Sequence, residues 1–314
     1  MTGSANSENS FPTDIASAQG YVGDPRNDDV RIYVNGQFHT RNSATVSIFD
    51  AGFILGDGVW EGVRLVRGNL VELDAHLDRL FEGARAIQLD IGLDRKGVEQ
   101  IIRDTLAEND MHDGVHIRLM ITRGKKRTPN QDPRFTAGPP TIVVVAEYKA
   151  CRPLSEKTGL RLLTSTIRCS TPDVFDLRLN SHSRLNFIQA LIQAINANCD
   201  EALMLDQRGF VASCNSTNFF IVRGQELWTS TGVCCFNGIT RAKTIALYED
   251  GMGVVRQKDF TLAETYSADE AFLTGTLGGI TPVSVIDGRT IGDGQTGPVT
   301  AAISAAYLRH IGAA

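Results

Sequence analysis

The feature that most constrains the fold of this chain is a series of short strand-like runs that begins at residue 160. LRLLTSTIR, EALMLD, GFVAS and NFFIVRG follow one another closely, except where one helix-like segment, 184–197, intervenes. Further helices are predicted at 240–250 and 299–310. Strands joined through hairpin-sized turns, with isolated helices, are typical of α+β proteins and not of a doubly wound parallel sheet. The sequence therefore predicts an α+β fold.

The N-terminal half has its own pattern. VRIYVNGQFHT (30–40) predicts two strands around an Asn-Gly hairpin turn. Apolar residues at helical spacing predict helices within 71–92 and at 97–109. Strands are predicted at 115–124 and 140–148.

A break in this pattern, YKACRPLSEKTG (148–159), predicts a domain boundary. We therefore predict two domains, with a tail and a linker. The four predicted parts are a disordered tail over 1–28, rich in Ser, Asn, Asp and Gly, a small α/β domain over 29–148, a linker over 149–159 and a larger domain over 160–314.

Charge and cysteine content exclude several classes of protein. The 314 residues carry a formal net charge of -5 and the pI is about 5.7, which argues against nucleic acid as the main partner. Six cysteines are scattered without CxxC pairs, so we predict no metal site and a reduced, cytoplasmic protein. No apolar stretch approaches the roughly 18 residues that would predict a membrane span, and we predict no membrane partner.

Three segments contain groups that can bind an anion. GITRAKTIAL (238–247) opens a predicted helix, whose free N–H groups would attract an anion, although an ordinary threonine cap gives the same pattern. FLTGTLGGITPV (272–283) offers the hydroxyls of Thr274 and Thr276 among glycines. Arg79 in HLDRL lies on a predicted helix and could bind a phosphate in bidentate fashion. GDGVWEG (56–62) lacks the spacing of a dinucleotide-binding loop and predicts a structural turn.

Together these segments resemble one family. GDGVWEGVR, HLDRL, DEALMLDQRGFV, NFFIV, GITR, ADEAFLTGT, ITPV, IDGRTIGDG and GPVT occur in an order similar to that of the class IV aminotransferases. This fold-type IV group includes branched-chain aminotransferase, D-amino acid aminotransferase and aminodeoxychorismate lyase. The resemblance implies a homodimer that binds pyridoxal 5'-phosphate (PLP) between two domains and moves an amino group between an amino acid and a 2-oxo acid.

The resemblance also implies which residues would bind the cofactor. The phosphate would be held by Arg79, by the start of the GITR helix and by the TGT loop, and the residues implied are Arg79, Asn218, Gly238, Ile239, Thr240 and Thr276. One arginine, a helix N-terminus and hydroxyl donors suit a doubly charged phosphate. The binding of pyridoxamine 5'-phosphate (PMP) is equally compatible with these residues.

Two expected catalytic residues are missing. The family carries a lysine, which links covalently to PLP, just before the helix at 184–197. Alignment without gaps from DEALMLD puts Asn180 there, whereas alignment on the LN pair selects Ser183. The family glutamate that pairs with the pyridine nitrogen corresponds to Ser213, and a hydroxyl cannot stabilise a pyridinium as a carboxylate does. His182 is a candidate for proton transfer, or else a hydrogen-bonding residue of the helix start.

Substrate-binding residues follow less directly from the resemblance. Trp60 and Leu55 fall where the family lines its side-chain pocket, although both could be core residues. Arg64 and Arg118 are candidates for recognising a substrate carboxylate. The family includes members of both L and D specificity, so the resemblance does not predict the chirality of the substrate.

Three functions are compatible with this sequence. The first is an aminotransferase in which another lysine, such as Lys243 or Lys157, replaces the missing one, or which starts from noncovalently bound PMP. The second is an altered PLP enzyme of the lyase or racemase type, which tolerates a neutral ring nitrogen. The third is a catalytically inactive protein that binds the cofactor.

Overall fold

Two β-sheets form the framework of the protein. The computed structural model describes residues 15–314, and within this range no helix is long and apolar enough to cross a membrane. The chain passes from the first sheet to the second between Tyr148 and Leu160. The α+β class predicted from the sequence is confirmed.

The first sheet has six antiparallel strands in the spatial order β2-β1-β6-β5-β3-β4. They are β1 (Arg31–Val34), β2 (Gln37–Thr40), β3 (Gly58–Val66), β4 (Asn69–Leu70), β5 (Val115–Thr122) and β6 (Thr141–Tyr148). The predicted hairpin is present, and Asn35 and Gly36 both have positive φ values, 47° and 91°, as a type I′ turn requires.

Three helices accompany this sheet, α1 (Ala51–Leu55), α2 (Leu73–Ala86) and α3 (Arg95–Glu108). Apolar residues that recur every three or four positions on α2 and α3 are buried in one cluster with apolar residues of the strands. The cluster includes Leu77 and Leu80 of α2, Ile102 of α3, and Ile117, Leu119 and Ile121 of β5. The predicted turn at GDGVWEG is wrong for most of its length. The chain turns at Gly56, whose φ is +69°, and then continues as the long strand β3.

The second sheet has nine strands in the order β12-β11-β10-β13-β14-β7-β8-β9, with β15 attached to β14. The strands are β7 (Leu160–Thr164), β8 (Glu201–Leu205), β9 (Val211–Cys214), β10 (Asn218–Arg223), β11 (Glu226–Thr229), β12 (Val254–Gln257), β13 (Glu270–Gly275), β14 (Gly279–Ile286) and β15 (Arg289–Thr290). The helices are α4 (Leu185–Asn196), α5 (Ile239–Glu249), α6 (Leu262–Tyr266) and α7 (Pro298–His310).

A short extended segment, residues 180–182, connects the two sheets. Trp60 N donates to the Asn180 carbonyl over 2.9 Å, and His182 N donates to the Gly58 carbonyl over 3.0 Å. Ser181 forms an antiparallel bridge with Val59, and its carbonyl also accepts a hydrogen bond of 3.0 Å from the Trp60 indole. The residues just before α4 therefore extend the edge of β3 and fix the start of α4 against the first sheet.

Part of the predicted disordered tail is ordered. Residues 1–14 lie outside the described residues, whereas residues 15–28 pack against the rest of the protein. Ala18 is 3% exposed, Val22 bridges to Ala150, and Asn27 exchanges hydrogen bonds with the Tyr148 backbone. The polar composition of 15–28 misled the prediction, because these polar groups have partners in other parts of the chain.

Glu201 anchors this N-terminal segment. Its carboxylate is 1% exposed and accepts hydrogen bonds from Ser17 Oγ at 2.8 Å and from Ala18 N at 3.0 Å. Burial raises the pKa of Glu201 from its ordinary value of 4.5, and the hydrogen bonds from Ser17 and Ala18 offset this only in part. The charged form is therefore disfavoured by folding.

We predict that Glu201 makes the protein less stable as pH rises. A raised carboxyl pKa contributes stability below the unfolded value, and this stability is lost as pH rises through the folded value. The free energy of unfolding of the wild type should therefore fall relative to that of Glu201→Gln as pH rises above the ordinary carboxyl pKa of 4.5, as measured by urea titration. Glu249→Gln, at an exposed position, is the control. Parallel pH profiles for wild type and Glu201→Gln would contradict the prediction.

Candidate active site

A cavity of about 350 Å³ lies between the two sheets. Its walls come from the face of β3 and β5, from Arg79 on α2, from the start of α4, from the loop before β10, from the start of α5 and from the β13–β14 turn. The cavity also includes Gln19 from the N-terminal segment.

One wall is formed by neighbouring residues of β3 and β5. Arg118 lies directly across from Gly62 in the strand register, and its guanidinium carbon is 3.3 Å from the centroid of the Trp60 ring. A Cβ at position 62 would lie 3.0 Å from His116 Nε2. The glycine therefore leaves the space into which His116 packs.

Arg79 reaches the loop before α5. Its Nη1 donates to the Asn237 carbonyl over 3.1 Å, and its guanidinium carbon lies 4.3 Å from the centroid of the Phe236 ring. Its Nε and Nη2 donate to the two oxygens of Glu61 over 2.8 and 2.6 Å. A guanidinium has five N–H donors, so two remain for a ligand.

Glu61 is a fully buried carboxylate that orients Arg79. Burial opposes its ionisation, but hydrogen bonds from Arg79 and His76 outweigh this and hold the pKa of Glu61 below its usual value. His76 Nδ1 lies 2.7 Å from a Glu61 oxygen. Glu61 is thus charged at neutral pH and fixes the direction of the Arg79 guanidinium.

The start of α5 presents free backbone N–H groups to the cavity. No side chain caps this helix, and Gly238, Ile239 and Thr240 line the cavity. Asn218 braces the loop, since its Oδ1 accepts from Gly238 N over 3.1 Å and its Nδ2 donates to the Phe236 carbonyl over 2.6 Å. A Cβ at position 238 would lie 2.4 Å from Asn218 Oδ1, so this contact requires glycine. An uncapped N-terminus of this kind attracts an anion.

Hydroxyl groups complete this side of the cavity. The Oγ1 atoms of Thr217 and Thr274 are buried without a hydrogen-bond partner. Thr276 lines the cavity beside them, and Ser213 Oγ donates to the Thr217 carbonyl over 2.7 Å. Buried hydroxyls are nearly always hydrogen-bonded in native proteins, so Thr217 and Thr274 are suited to bind a polar ligand.

The structure separates the two candidates for the missing lysine position. Asn180 lines the cavity and is 3% exposed, whereas Ser183 is exposed and lies outside it. Asn180 Nδ2 donates to the Trp60 carbonyl, and its Oδ1 accepts from Arg184 Nη2. Arg184 also lines the cavity.

No lysine lines the cavity within residues 15–314. Lys157 Nζ donates to the carbonyls of Gly278 and Ile280 over 2.6 and 2.9 Å, and burial lowers the pKa of Lys157 to about 8. Lys243 forms an ion pair of 2.9 Å with Glu72. Neither lysine points into the cavity, so neither replaces the missing one in this conformation.

Three of the candidate residues lie away from the cavity. His182, Leu55 and Arg64 are absent from its lining, and burial lowers the pKa of His182 to about 4, so its imidazole is neutral at neutral pH. His116 lines the cavity. Burial and the nearby Lys149 lower its pKa to about 3.

Sequence reasoning missed His116, Arg184, Phe236 and Gln19 as cavity residues. His116 could have been predicted from the alternation of side chains along a β-strand, because residues two positions apart lie on the same face of the sheet. His116 therefore lies on the same face as Arg118, which the sequence analysis had selected. Nothing in the local sequence of the N-terminal segment indicated Gln19.

Comparisons with known proteins agree with this architecture. The family model described as amino-transferase class IV matches residues 58–286. The chain is 39% identical over 286 residues to branched-chain-amino-acid aminotransferase-like protein 2 of Arabidopsis thaliana. The match covers 91% of this chain but 51% of that protein, so the chain spans about half the length of this relative. It is 39% identical to a putative branched-chain-amino-acid aminotransferase of Methanocaldococcus jannaschii, over 86% of this chain and 93% of that one.

A solved structure gives the same result. The T.th. branched-chain amino acid aminotransferase with pyridoxamine 5'-phosphate superposes with a TM-score of 0.84 at 28% identity, covering 91% of this chain and 95% of that one. Both the sequence and the fold thus match over most of the length of this chain. The chain therefore belongs to the class IV aminotransferase family.

Proposed function

We propose that the cavity binds PLP or PMP, with its phosphate at the start of α5. The observation that carries this proposal is the convergence of Arg79, the uncapped N-terminus of α5 and the β13–β14 turn on one cavity. Two free guanidinium donors, backbone N–H groups and the unpartnered hydroxyls of Thr217 and Thr274 match a dianionic phosphate. The T.th. aminotransferase was solved with PMP, which supports the same ligand here.

The cofactor supplies an electron-withdrawing ring that stabilises negative charge at the carbon next to the amino group. Ser213 can offer that ring a hydroxyl, but its proton is directed to the Thr217 carbonyl. It carries no negative charge, so it stabilises a protonated pyridine nitrogen less well than a carboxylate would. Asn180 has no nucleophilic amine, so its side chain can hold a ligand only through hydrogen bonds.

We infer that the reaction of the family, amino-group transfer between an amino acid and a 2-oxo acid, is altered in this protein. Arg118 is the residue that would recognise a substrate carboxylate, because it lines the cavity and no ion pair engages it within residues 15–314. Trp60 lies beside it and would contact the substrate side chain. His116 remains neutral at neutral pH and would act as a hydrogen-bonding group.

A second function is favoured by the absence of a lysine from the described lining of the cavity. A protein without that amine lacks both the covalent link and the group that moves a proton at the substrate carbon. The binding residues stay in place, so a cofactor-binding protein without transamination, or a PLP enzyme of the lyase or racemase type, fits the same geometry.

A homodimer in a reduced, cytoplasmic environment fits the surface of the protein. Leu185, Ile188, Ile192 and Ile195 of α4 are between 49% and 67% exposed and form a stripe on one face of the helix. An apolar stripe of this kind on a protein surface is typical of an interface. All six cysteines are free, as expected of a reduced compartment.

The phosphate assignment predicts that Arg79→Gln weakens PLP binding about tenfold or more, because charge-assisted hydrogen bonds are lost. The single variant also leaves the buried Glu61 carboxylate without its arginine. Breaking a buried ion pair in this way lowers the free energy of unfolding by about 3–5 kcal/mol. Glu61→Gln combined with Arg79→Gln should restore stability but not binding. Equilibrium dialysis and thermal unfolding measure the two effects.

Arg85→Gln, on the same helix and exposed, is the matched control and should bind PLP like the wild type. Wild-type affinity in the stable double variant would overturn the phosphate assignment.

The missing lysine predicts that PLP binds without a covalent link. After borohydride treatment, mass spectrometry should detect no cofactor adduct on wild-type lysines. Asn180→Lys should produce an adduct at residue 180, because this position faces the cavity. Ser183→Lys, at the exposed alternative position, should produce none. A wild-type adduct on any lysine that is retained after denaturation would contradict the noncovalent assignment.

The α4 stripe predicts a dimer in solution. Light scattering coupled to gel filtration should give about twice the mass of 34.1 kDa for the wild type, and Ile192→Glu combined with Ile195→Glu should give a monomer. Ile15→Glu, an exposed apolar position elsewhere, should leave the dimer intact. A monomeric wild type would refute this prediction.

A further inference from the structure

The cavity contains more positive charge than its own carboxylate neutralises. Arg79, Arg118 and Arg184 all line it. Within residues 15–314 the carboxylate paired with any of them is Glu61, and it is bound by Arg79 through both oxygens. A phosphate at the start of α5 would lie beside Arg79, which leaves Arg118 and Arg184 without a counterion.

Arg184 lies between the other two arginines. The guanidinium carbon of Arg184 lies 5.6 Å from the centroid of the Phe236 ring, which Arg79 also contacts. It lies 5.4 Å from the centroid of the Trp60 ring, which Arg118 also contacts. Burial, followed by the charges of Arg118 and Arg79, lowers the pKa of Arg184 to about 10. At neutral pH the guanidinium is still charged.

The hydrogen bonds of Arg184 are incomplete. Its Nη2 donates to Asn180 Oδ1, while its Nε is buried without a partner. Asn180 is itself held, since its Nδ2 donates to the Trp60 carbonyl. The amide therefore orients the guanidinium without neutralising it, and a buried charge without a counterion is costly.

Arg241 is a second buried arginine, and its Nε, like that of Arg184, has no partner, but its Nη2 binds two acceptors. Arg241 is 6% exposed and pairs with no carboxylate in the described range, but its Nη2 donates to the Ser230 carbonyl over 2.6 Å and to Gln257 Oε1 over 3.0 Å. It lies outside the cavity lining. Arg184 differs in facing the cavity and in having a single amide acceptor.

We propose that Arg184, oriented by Asn180, forms an oxyanion-binding subsite in this cavity, separate from the phosphate-binding residues. A guanidinium only donates hydrogen bonds and is always positive near neutral pH. The subsite therefore takes a carboxylate or another anionic oxygen and repels an ammonium group. This inference deepens the proposed function and rests on it for the ligand that occupies the rest of the cavity.

Two ligands supply such an oxygen. One is the cofactor, through an oxygen of its ring, in which case Arg184 compensates for the missing covalent link by an ionic contact. The other is the acid substrate, through a carboxylate, in which case Arg184 and Arg118 bind an acid together. Both use the same chemistry at Arg184, and binding measurements distinguish them.

The test uses the 314-residue chain after dialysis to remove cofactor. PLP and succinate, a simple dicarboxylate, are titrated separately into wild type and Arg184→Gln, with affinity read by isothermal calorimetry. We expect Arg184→Gln to weaken one of the two ligands about tenfold to hundredfold, the loss typical of a charge-assisted hydrogen bond. Arg178→Gln, an exposed arginine paired with Asp176, is the matched control and should change neither.

Each outcome is informative. If Arg184→Gln loses affinity for PLP alone, the oxygen that Arg184 binds belongs to the cofactor. If it loses affinity for succinate alone, that oxygen belongs to the substrate. Affinities within twofold of wild type for both ligands overturn the subsite, as does a wild type that binds neither. If the wild type binds succinate but not PLP, and Arg184→Gln loses succinate, the proposed cofactor function fails while the subsite stands.

Folding of the variant is checked by its melting temperature. Because Arg184 carries an uncompensated charge, Arg184→Gln should melt at or above the wild-type temperature in the absence of ligand. Arg184→Lys keeps the charge but loses the planar fork, so it should recover part of the lost affinity. An arginine with only a structural role would give the opposite result, a lower melting temperature with unchanged binding.

Discussion

The backbone pairing between residues 180–182 and the start of β3 is the interaction on which the rest of the site depends. It connects the two sheets and fixes where α4 begins. Because Trp60 is bonded to this segment through both its backbone and its indole, the ring, Asn180 and Arg184 keep one arrangement relative to one another. The polar residues within RLNSHSRLNF (178–187) thus join the sheets and also contribute two cavity side chains, Asn180 and Arg184.

The cavity combines intact binding groups with a missing covalent anchor. Arg79, the α5 N-terminus and the unpartnered hydroxyls are the groups that we propose bind the phosphate, and Glu61 holds the arginine in place. Asn180 and Ser213 are the residues that the resemblance puts at the positions of the family lysine and glutamate, and each makes hydrogen bonds to its surroundings. Under this proposal, cofactor binding and covalent catalysis rest on different residues of the fold, so one can be kept while the other is lost.

Much of the fold was predictable because its signals are local. The helical spacing of α2 and α3, the Asn-Gly turn and the succession of strands beyond residue 160 all appear in the structure. The three segments predicted to bind an anion line one cavity, and they could be selected because a helix start and an arginine within a motif are visible in sequence. The side chains that face the cavity depend on strand register and on packing between the sheets, which is why His116 was missed and Leu55, Arg64 and His182 were misplaced. The order of residues 15–28 depends on Glu201 and Tyr148, which are distant in sequence.

A structure of the protein soaked with PLP would show both the phosphate and any covalent link to the chain. We expect the phosphate at the N-terminus of α5 within hydrogen-bond distance of Arg79, and a ring whose density ends before any lysine. A phosphate bound elsewhere, or continuous density from the ring to a lysine amine, would contradict this expectation.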